Sequence, residues 1–202
     1  MANGTRTRLD PAARRAQLVA LGLQMLSTRP LDQVAIDEIA SEAGISRGLL
    51  FHYFPTKRDF HVAVVQAAAD DLYARTEPDP TLPLLDQLRS SLEAFVDYVT
   101  DNRDAYMGLL RGASGDPGLR AVLDSTRSRI TARVLAAAGV ADPASNRLRL
   151  AARGWVAFTE EATLEWLSEG EPGRFELVDL LEEALVALMA VATRLEATGP
   201  GG

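Results

Sequence analysis

Ile36-Asp-Glu-Ile-Ala-Ser-Glu-Ala-Gly-Ile-Ser-Arg-Gly-Leu-Leu-Phe-His-Tyr-Phe-Pro-Thr-Lys57 reads as two short helices joined by a tight turn. Ile36, Ile39, Ala40 and Ala43 recur at helical spacing. Gly44 follows, free to take the left-handed conformation that closes a helix. Ile45 is apolar, and Ser46 suits the N-cap of a second helix that turns Leu50 and Phe54 inward. Ala40 is small enough for the second helix to cross closely over the first. The spacing predicts a helix-turn-helix. That unit can lay its second helix in a DNA major groove, and it also occurs as a plain packing motif.

Working outward, Asp10-Pro11 has the form of an N-cap followed by proline at the first helical position. The helix it opens buries Leu18, Leu21, Met25 and Leu26 and ends near Thr28-Arg-Pro30. Residues 1–10 carry Arg6 and Arg8 on a polar stretch and read as a flexible arm. On the other side, Thr56-Lys-Arg-Asp59 has the spacing of a capping box, starting a fourth helix through Phe60, Val64 and Ala67 to about Arg75. Glu77-Pro-Asp-Pro80 is the clearest break in the chain. The expected organisation is therefore a helix-turn-helix domain over 11–56, a connecting helix over 57–76 and a larger domain over 77–202.

The larger domain reads as five further helices. Residues 83–101 place Leu88, Leu92, Phe95, Val96 and Val99 on one face, and 103–111 form a short helix before Gly112 and Gly115. Asp116-Pro117 and Asp142-Pro143 look like two more capped starts, opening helices of about 21 and about 26 residues. Gly170-Glu-Pro-Gly173 separates the last helix, 174–196. No strand pattern or internal repeat competes, so the expected class is all-α with about nine helices.

Composition narrows the chemistry. The 202 residues contain no cysteine and two histidines, His52 and His61, so neither a disulfide framework nor a Cys-based zinc site is expected. No apolar run approaches the roughly 20 residues of a membrane span, and the amino terminus lacks a signal-peptide core, which predicts a soluble cytoplasmic protein. The net charge of −7 at first argues against nucleic acid. Its distribution argues the other way. Residues 1–60 hold eight Lys/Arg against six Asp/Glu (+2), and residues 61–202 hold thirteen against twenty-two (−9). A mildly basic end on an acidic body suits a DNA reader, whose docking face alone must be positive. Arginine outnumbers lysine twenty to one, which fits a GC-rich genome better than a functional demand.

Gly48-Leu-Leu-Phe-His-Tyr-Phe-Pro-Thr-Lys-Arg-Asp-Phe60, preceded by Ile39-Ala-Ser-Glu-Ala-Gly-Ile-Ser46, resembles the amino-terminal DNA-binding domain of the tetracycline-repressor (TetR) family. The resemblance covers roughly residues 12–65, and beyond it only length and helical character match. It implies a DNA-binding regulator with a carboxy-terminal domain for dimerisation and a small-molecule effector.

On the second helix, Ser46, Arg47, Gly48, Leu49 and His52 occupy the outward, amino-terminal face. Arginine can pair bidentately with guanine O6 and N7, and leucine can press a thymine methyl. His52 is placed for a base or a phosphate; the competing reading is that Arg47 and His52 are merely solvated. Phe51 stands where the family usually has tyrosine, so it offers apolar contact without a hydroxyl, while Tyr53 keeps a phenol for a phosphate or for the small core. Lys57, the only lysine, sits with Arg58 in the first turn of helix four, where the macrodipole disfavours cations unless an anion is present. By resemblance Lys57 matches a phosphate contact. Ala35 departs from the family's usual threonine, which removes a cap and a phosphate contact.

In the last helix Phe175, Val178, Leu181, Leu185, Leu188 and Ala192 line one stripe, and Leu177, Leu180, Ala184, Val191 and Leu195 line an adjoining one. So wide an apolar arc needs cover on more than one side, which points to a two-fold four-helix interface involving the preceding helix and Trp166. A homodimer matched to a palindromic operator on double-stranded DNA is the expected partner state. For an effector, Phe95, Tyr98, Met107, Leu110, Trp155 and Phe158 are wall candidates, with Arg111, Thr159 and Glu161 as orienting groups. Residues at such spacing are otherwise core. No phosphate loop, activated nucleophile or metal cluster supports an enzyme, and no cofactor is expected. The leading expectation is a repressor released from DNA by a largely apolar ligand. The alternatives are an activator, or a helical adaptor or ligand-binding protein without DNA regulation.

Overall fold

The computed structural model describes residues 10–26, 33–112, 115–141 and 143–198, with the side chains of Arg111 and Gly112 left out. Among the described residues it is all-helical: α1 (Pro11–Leu26), α2 (Ile36–Glu42), α3 (Arg47–Tyr53), α4 (Lys57–Arg75), α5 (Leu84–Asp101), α6 (Arg103–Gly112), α7 (Pro117–Ala137), α8 (Asn146–Glu169) and α9 (Arg174–Ala197). The arm expected at the amino terminus lies outside the described residues.

Local signals account for most boundaries. The Ser46 hydroxyl accepts from Leu49 N at 3.2 Å to cap α3, and Gly44 takes a φ of 62° in the turn before it. Ala35 stands at the N-cap of α2 with no side-chain cap bond, as its methyl requires. Thr56 and Asp59 form the expected capping box, each side chain accepting from the other's backbone N–H at 3.0 Å. Asp116 caps α7 through Gly118 N and Leu119 N. The start of α8 differs from expectation. It begins at Asn146, capped by the Ser145 hydroxyl accepting from Leu148 N at 3.2 Å, three residues beyond the Asp142-Pro143 signature. A serine followed by an uninterrupted helical stretch won over the upstream proline.

Two cores matter for function. The first joins α1, α2, α3 and α4 around Leu18, Ile39, Leu50, Phe54 and Phe60, each at most 1% exposed. The Phe54 and Phe60 rings meet edge to face at 5.1 Å. Gly22 lets α1 cross α4, since a Cβ there would lie 2.4 Å from Val64 Cγ2. The second core joins α5, α8 and α9 around Leu92, Val96, Trp155, Leu177, Val178 and Leu181. The Trp155 indole donates to the Leu181 carbonyl at 2.8 Å, fixing which side of α9 faces inward.

α4 belongs to both halves. Phe60 and Val64 face the first core, while Val65 packs with Leu119 and Val122 of α7. At its amino-terminal end Arg58 donates to Asp116, the cap of α7, at 2.8 Å, and holds the Asp116 carboxyl below its ordinary pKa.

Candidate functional site

The outward side of α3 carries exposed Arg47, Gly48, Leu49 and His52, with Ser46 just before it and exposed Lys57 at the start of α4. Leu49 is 40% exposed and stands clear of the first core on the same outward side. The Ser46 hydroxyl accepts the capping bond and keeps its O–H as a donor. Phe51 and Tyr53 are half-buried against the first core, so their rings brace α3 more than they extend from it. His52 stands edge-on to Tyr53 at 5.5 Å.

Arg47 has a partner that sequence spacing did not reveal. Its guanidinium reaches Asp37 in the first turn of α2 at 3.1 Å and lies 5.4 Å from the Phe51 ring. Both members of the ion pair are well exposed, so the pair orients Arg47 with little net stabilisation. A guanine edge offers two acceptors in a plane, one more than the Asp37 contact supplies. Arg47→Ala is expected to cost roughly 1–3 kcal/mol per half-site and to relax preference at one base position. Binding measured against every single-base variant of a bound duplex checks this; a uniform loss over all positions would make Arg47 a phosphate contact.

The second candidate is a cavity of about 450 Å³, open on one side, lined by α4, α5, α6, α7 and α8, with Leu23 and Leu26 of α1 and part of α9 at its margin. Five of the sequence-predicted residues line it: Phe95, Tyr98, Leu110, Trp155 and Thr159. Met107 is not among the lining residues. Phe158, 39% exposed, and Glu161, also exposed, face outward instead, because the turn of α8 that points Trp155 and Thr159 inward points them away. The Arg111 side chain lies outside the described residues.

The wall is overwhelmingly apolar, supplied by residues such as Leu72, Leu88, Leu92, Ile130, Val134 and Met189. Its polar groups are few. Thr159 is 7% exposed with its hydroxyl unpartnered. The Tyr98 phenol, pushed up to about 12 by burial and by Asp71, stays protonated and donates to the Ala68 carbonyl at 3.1 Å. Burial also raises the Tyr106 pKa well above its ordinary value, so a second neutral phenol sits edge-on to Phe95 at 6.2 Å. Glu160 is paired with Arg127 at 2.8 Å. Sequence reading missed Tyr106, Arg133 and Glu160 as lining residues. The available signal was an arginine between Ile130 and Val134 on the inward side of α7.

The expected dimer stripe divides in two. Val178, Leu181, Leu185 and Ala192 are buried within the protomer, at most 8% exposed, because α5, α7 and α8 cover them. Trp166 is half-buried against the same core and donates to the Pro172 carbonyl at 2.7 Å. Val178, Leu181, Leu185 and Ala192 are therefore corrected from interface to core. Phe175 (68% exposed) and Leu188 (39%) do face outward, together with Leu180, Val191 and Leu195 of α9 and Leu150 of α8.

Comparison with known proteins agrees with this architecture. The family model described as bacterial regulatory proteins, tetR family, matches residues 18–64, and the one described as tetracyclin repressor-like, C-terminal domain, matches residues 84–188. A tetR-family transcriptional regulator from Streptomyces coelicolor superimposes with a TM-score of 0.80 at 36% identity, covering 92% of this chain and 84% of that one. The HTH-type transcriptional activator FasR of Mycolicibacterium smegmatis is 26% identical over 182 residues, spanning 82% of this chain and 77% of FasR. The HTH-type transcriptional repressor KstR2 of the same organism is 33% identical over 84 residues, 42% of this chain and 38% of KstR2. Members of this family are DNA-binding transcription regulators rather than enzymes, and none of the helices described here is long and apolar enough to cross a membrane. With both halves matched and the fold shared along nearly its whole length, the chain belongs to the TetR family of bacterial transcriptional regulators.

Proposed function

We propose that the protein is a dimeric repressor that reads a palindromic operator and is released from it by a small, largely apolar molecule held in the cavity. The observation that carries this reading is the double membership of α4. Lys57 stands at its start beside α3, and Ala68, Ala69, Leu72 and the following Thr76 line the cavity. A ligand that shifts this helix changes the placement of the recognition helix, so ligand and DNA oppose one another by a single coupling energy. Dimerisation is supported by the outward apolar face of α8 and α9, where exposed Gly154 and Ala157 leave room for a second copy to approach closely.

The test is reciprocal titration. Saturating ligand should weaken DNA binding by the same factor by which saturating DNA weakens ligand binding. If every ligand that fills the cavity and quenches the fluorescence of Trp155 leaves DNA affinity untouched, the release model is overturned. Activation is the second reading, favoured by the similarity to the transcriptional activator FasR. It predicts that purified protein raises rather than lowers transcription from its bound promoter in vitro.

Lys57 supplies a contrasting prediction to Arg47. Lys57→Ala should weaken binding to all sequences alike and lower the magnitude of the log-affinity against log-salt slope by about one per half-site. Titration at several salt concentrations reads this directly, and an unchanged slope and affinity would remove Lys57 from the interface.

A further inference from the structure

Two cavity-lining side chains reach α4, and both donate to its carbonyl oxygens. Tyr98 of α5 bonds Ala68 O, and Arg133 of α7 bonds Tyr73 O at 2.8 Å and Thr76 O at 3.0 Å. Arg133 also meets the Thr76 hydroxyl at 3.3 Å and lies with its guanidinium carbon 3.4 Å from the centre of the Tyr73 ring. It therefore caps the carboxy-terminal end of α4, where the macrodipole is negative.

The charge balance of the cavity singles this arginine out. Among the described residues that line it, only Arg133 and Glu160 are charged. Glu160 is neutralised by Arg127, which donates to both of its carboxylate oxygens at 2.9 and 3.1 Å. Arg133 has no carboxylate partner among the described residues; carbonyls, a hydroxyl and an aromatic face surround it. An apolar chamber thus holds one positive charge balanced only by dipoles. A guanidinium has five N–H donors, more than its three bonds to α4 occupy. A half-buried cation without a carboxylate partner favours an anionic oxygen, which offers it a charge-assisted bond in place of neutral ones.

We propose that Arg133 reads the charge of the effector: the cavity takes an apolar molecule with an anionic head, and that head draws Arg133 off the terminal carbonyls of α4. This rests on the reading of the cavity as the effector site. The consequence is local and then global. Losing Arg133 removes the charged cap from the last turn of α4, leaving the weaker Thr76 hydroxyl bonds, and loosens that end from α7, where Arg129 still holds Asp70 and Tyr73. The other end of α4 is built into the core that carries the recognition helix. An uncharged molecule of the same shape fills the cavity without competing for Arg133. The same site therefore separates binding from signalling.

The test uses three probes of one chain length, decanoate, 1-decanol and decylamine, at neutral pH, with binding followed by calorimetry on the full-length protein. Decanoate should bind about tenfold or more tightly than decanol, and decylamine most weakly. In Arg133→Met, which keeps the length of the stem without charge, decanol binding should stay within about twofold and the preference for the acid should vanish. At equal saturation decanoate should weaken binding to a selected DNA duplex more than decanol does. Decanol binding the wild-type protein as tightly as decanoate would overturn the proposal while leaving the cavity as an effector site, and so would an acid preference that survives in Arg133→Met. Equal loss of DNA affinity with both probes would overturn the coupling step. Binding by none of the three would overturn the apolar-effector reading of the cavity, and this proposal with it. The wild-type comparison does not depend on the variant being folded.

Discussion

Phe60→Ala is expected to unfold the amino-terminal domain at moderate temperature and abolish DNA binding. Phe60 is fully buried where α1, α3 and α4 meet, edge-on to Phe54 and against the space that Gly22 leaves open. Truncation removes an aromatic side chain and leaves a cavity, at a cost of about 3–5 kcal/mol. A small three-helix core with one flanking helix has little reserve to absorb that loss. Chemical denaturation followed by circular dichroism should show the transition of this domain shifted by that amount, with the α5–α8–α9 core retained. A shift below about 1 kcal/mol would mean that Phe60 is not the keystone of this core.

Leu188→Glu is the second large effect. Leu188 is exposed in the single protomer, on the outward stripe with Leu180, Val191 and Leu195, so a carboxylate there should leave the protomer folded. In a two-fold dimer built on this stripe the same substitution places two carboxylates in one apolar interface. Uncompensated buried charge costs about 3–5 kcal/mol, enough to raise the dimer dissociation constant by orders of magnitude. Sedimentation should report folded monomer, and DNA affinity should fall because a monomer spans a single half-site. A folded, unaltered dimer would place the interface elsewhere. Val178, by contrast, is a core position, and Val178→Glu should destabilise the protomer itself.

What could be read from sequence divides along the range of the forces involved. The helix-turn-helix was legible because its determinants are local: Gly44 in a left-handed turn, Ser46 and Thr56 as caps, and Leu50 and Phe54 one turn apart. The face of α9 that turns inward was not, because two adjoining apolar stripes satisfy the same periodicity. The choice is made by contacts distant in sequence, the Trp155 bond to Leu181 and the Arg174 bond to Asp97 at 2.7 Å. The same holds for the cavity. Phe158 and Thr159 are neighbours on α8, yet one is exposed and the other lines the chamber, since helical rotation decides the matter once Trp155 is anchored. Arg133 was obscured by abundance, one arginine among twenty, and only its bonds to the end of α4 set it apart. The α8 start was misplaced because two cap signatures, Asp142 and Ser145, stand three residues apart and local chemistry favours neither decisively.

Selection of bound duplexes from a random-sequence pool by the purified full-length protein tests the central claim most directly. A dimer presenting two copies of α3 should enrich a palindrome whose half-sites are centred about one helical turn, 10–10.5 base pairs, or a multiple of it apart. The base facing Arg47 should be a guanine, lost from the consensus in Arg47→Ala. Enrichment of a single unpaired half-site, or of no sequence at all, would contradict the account.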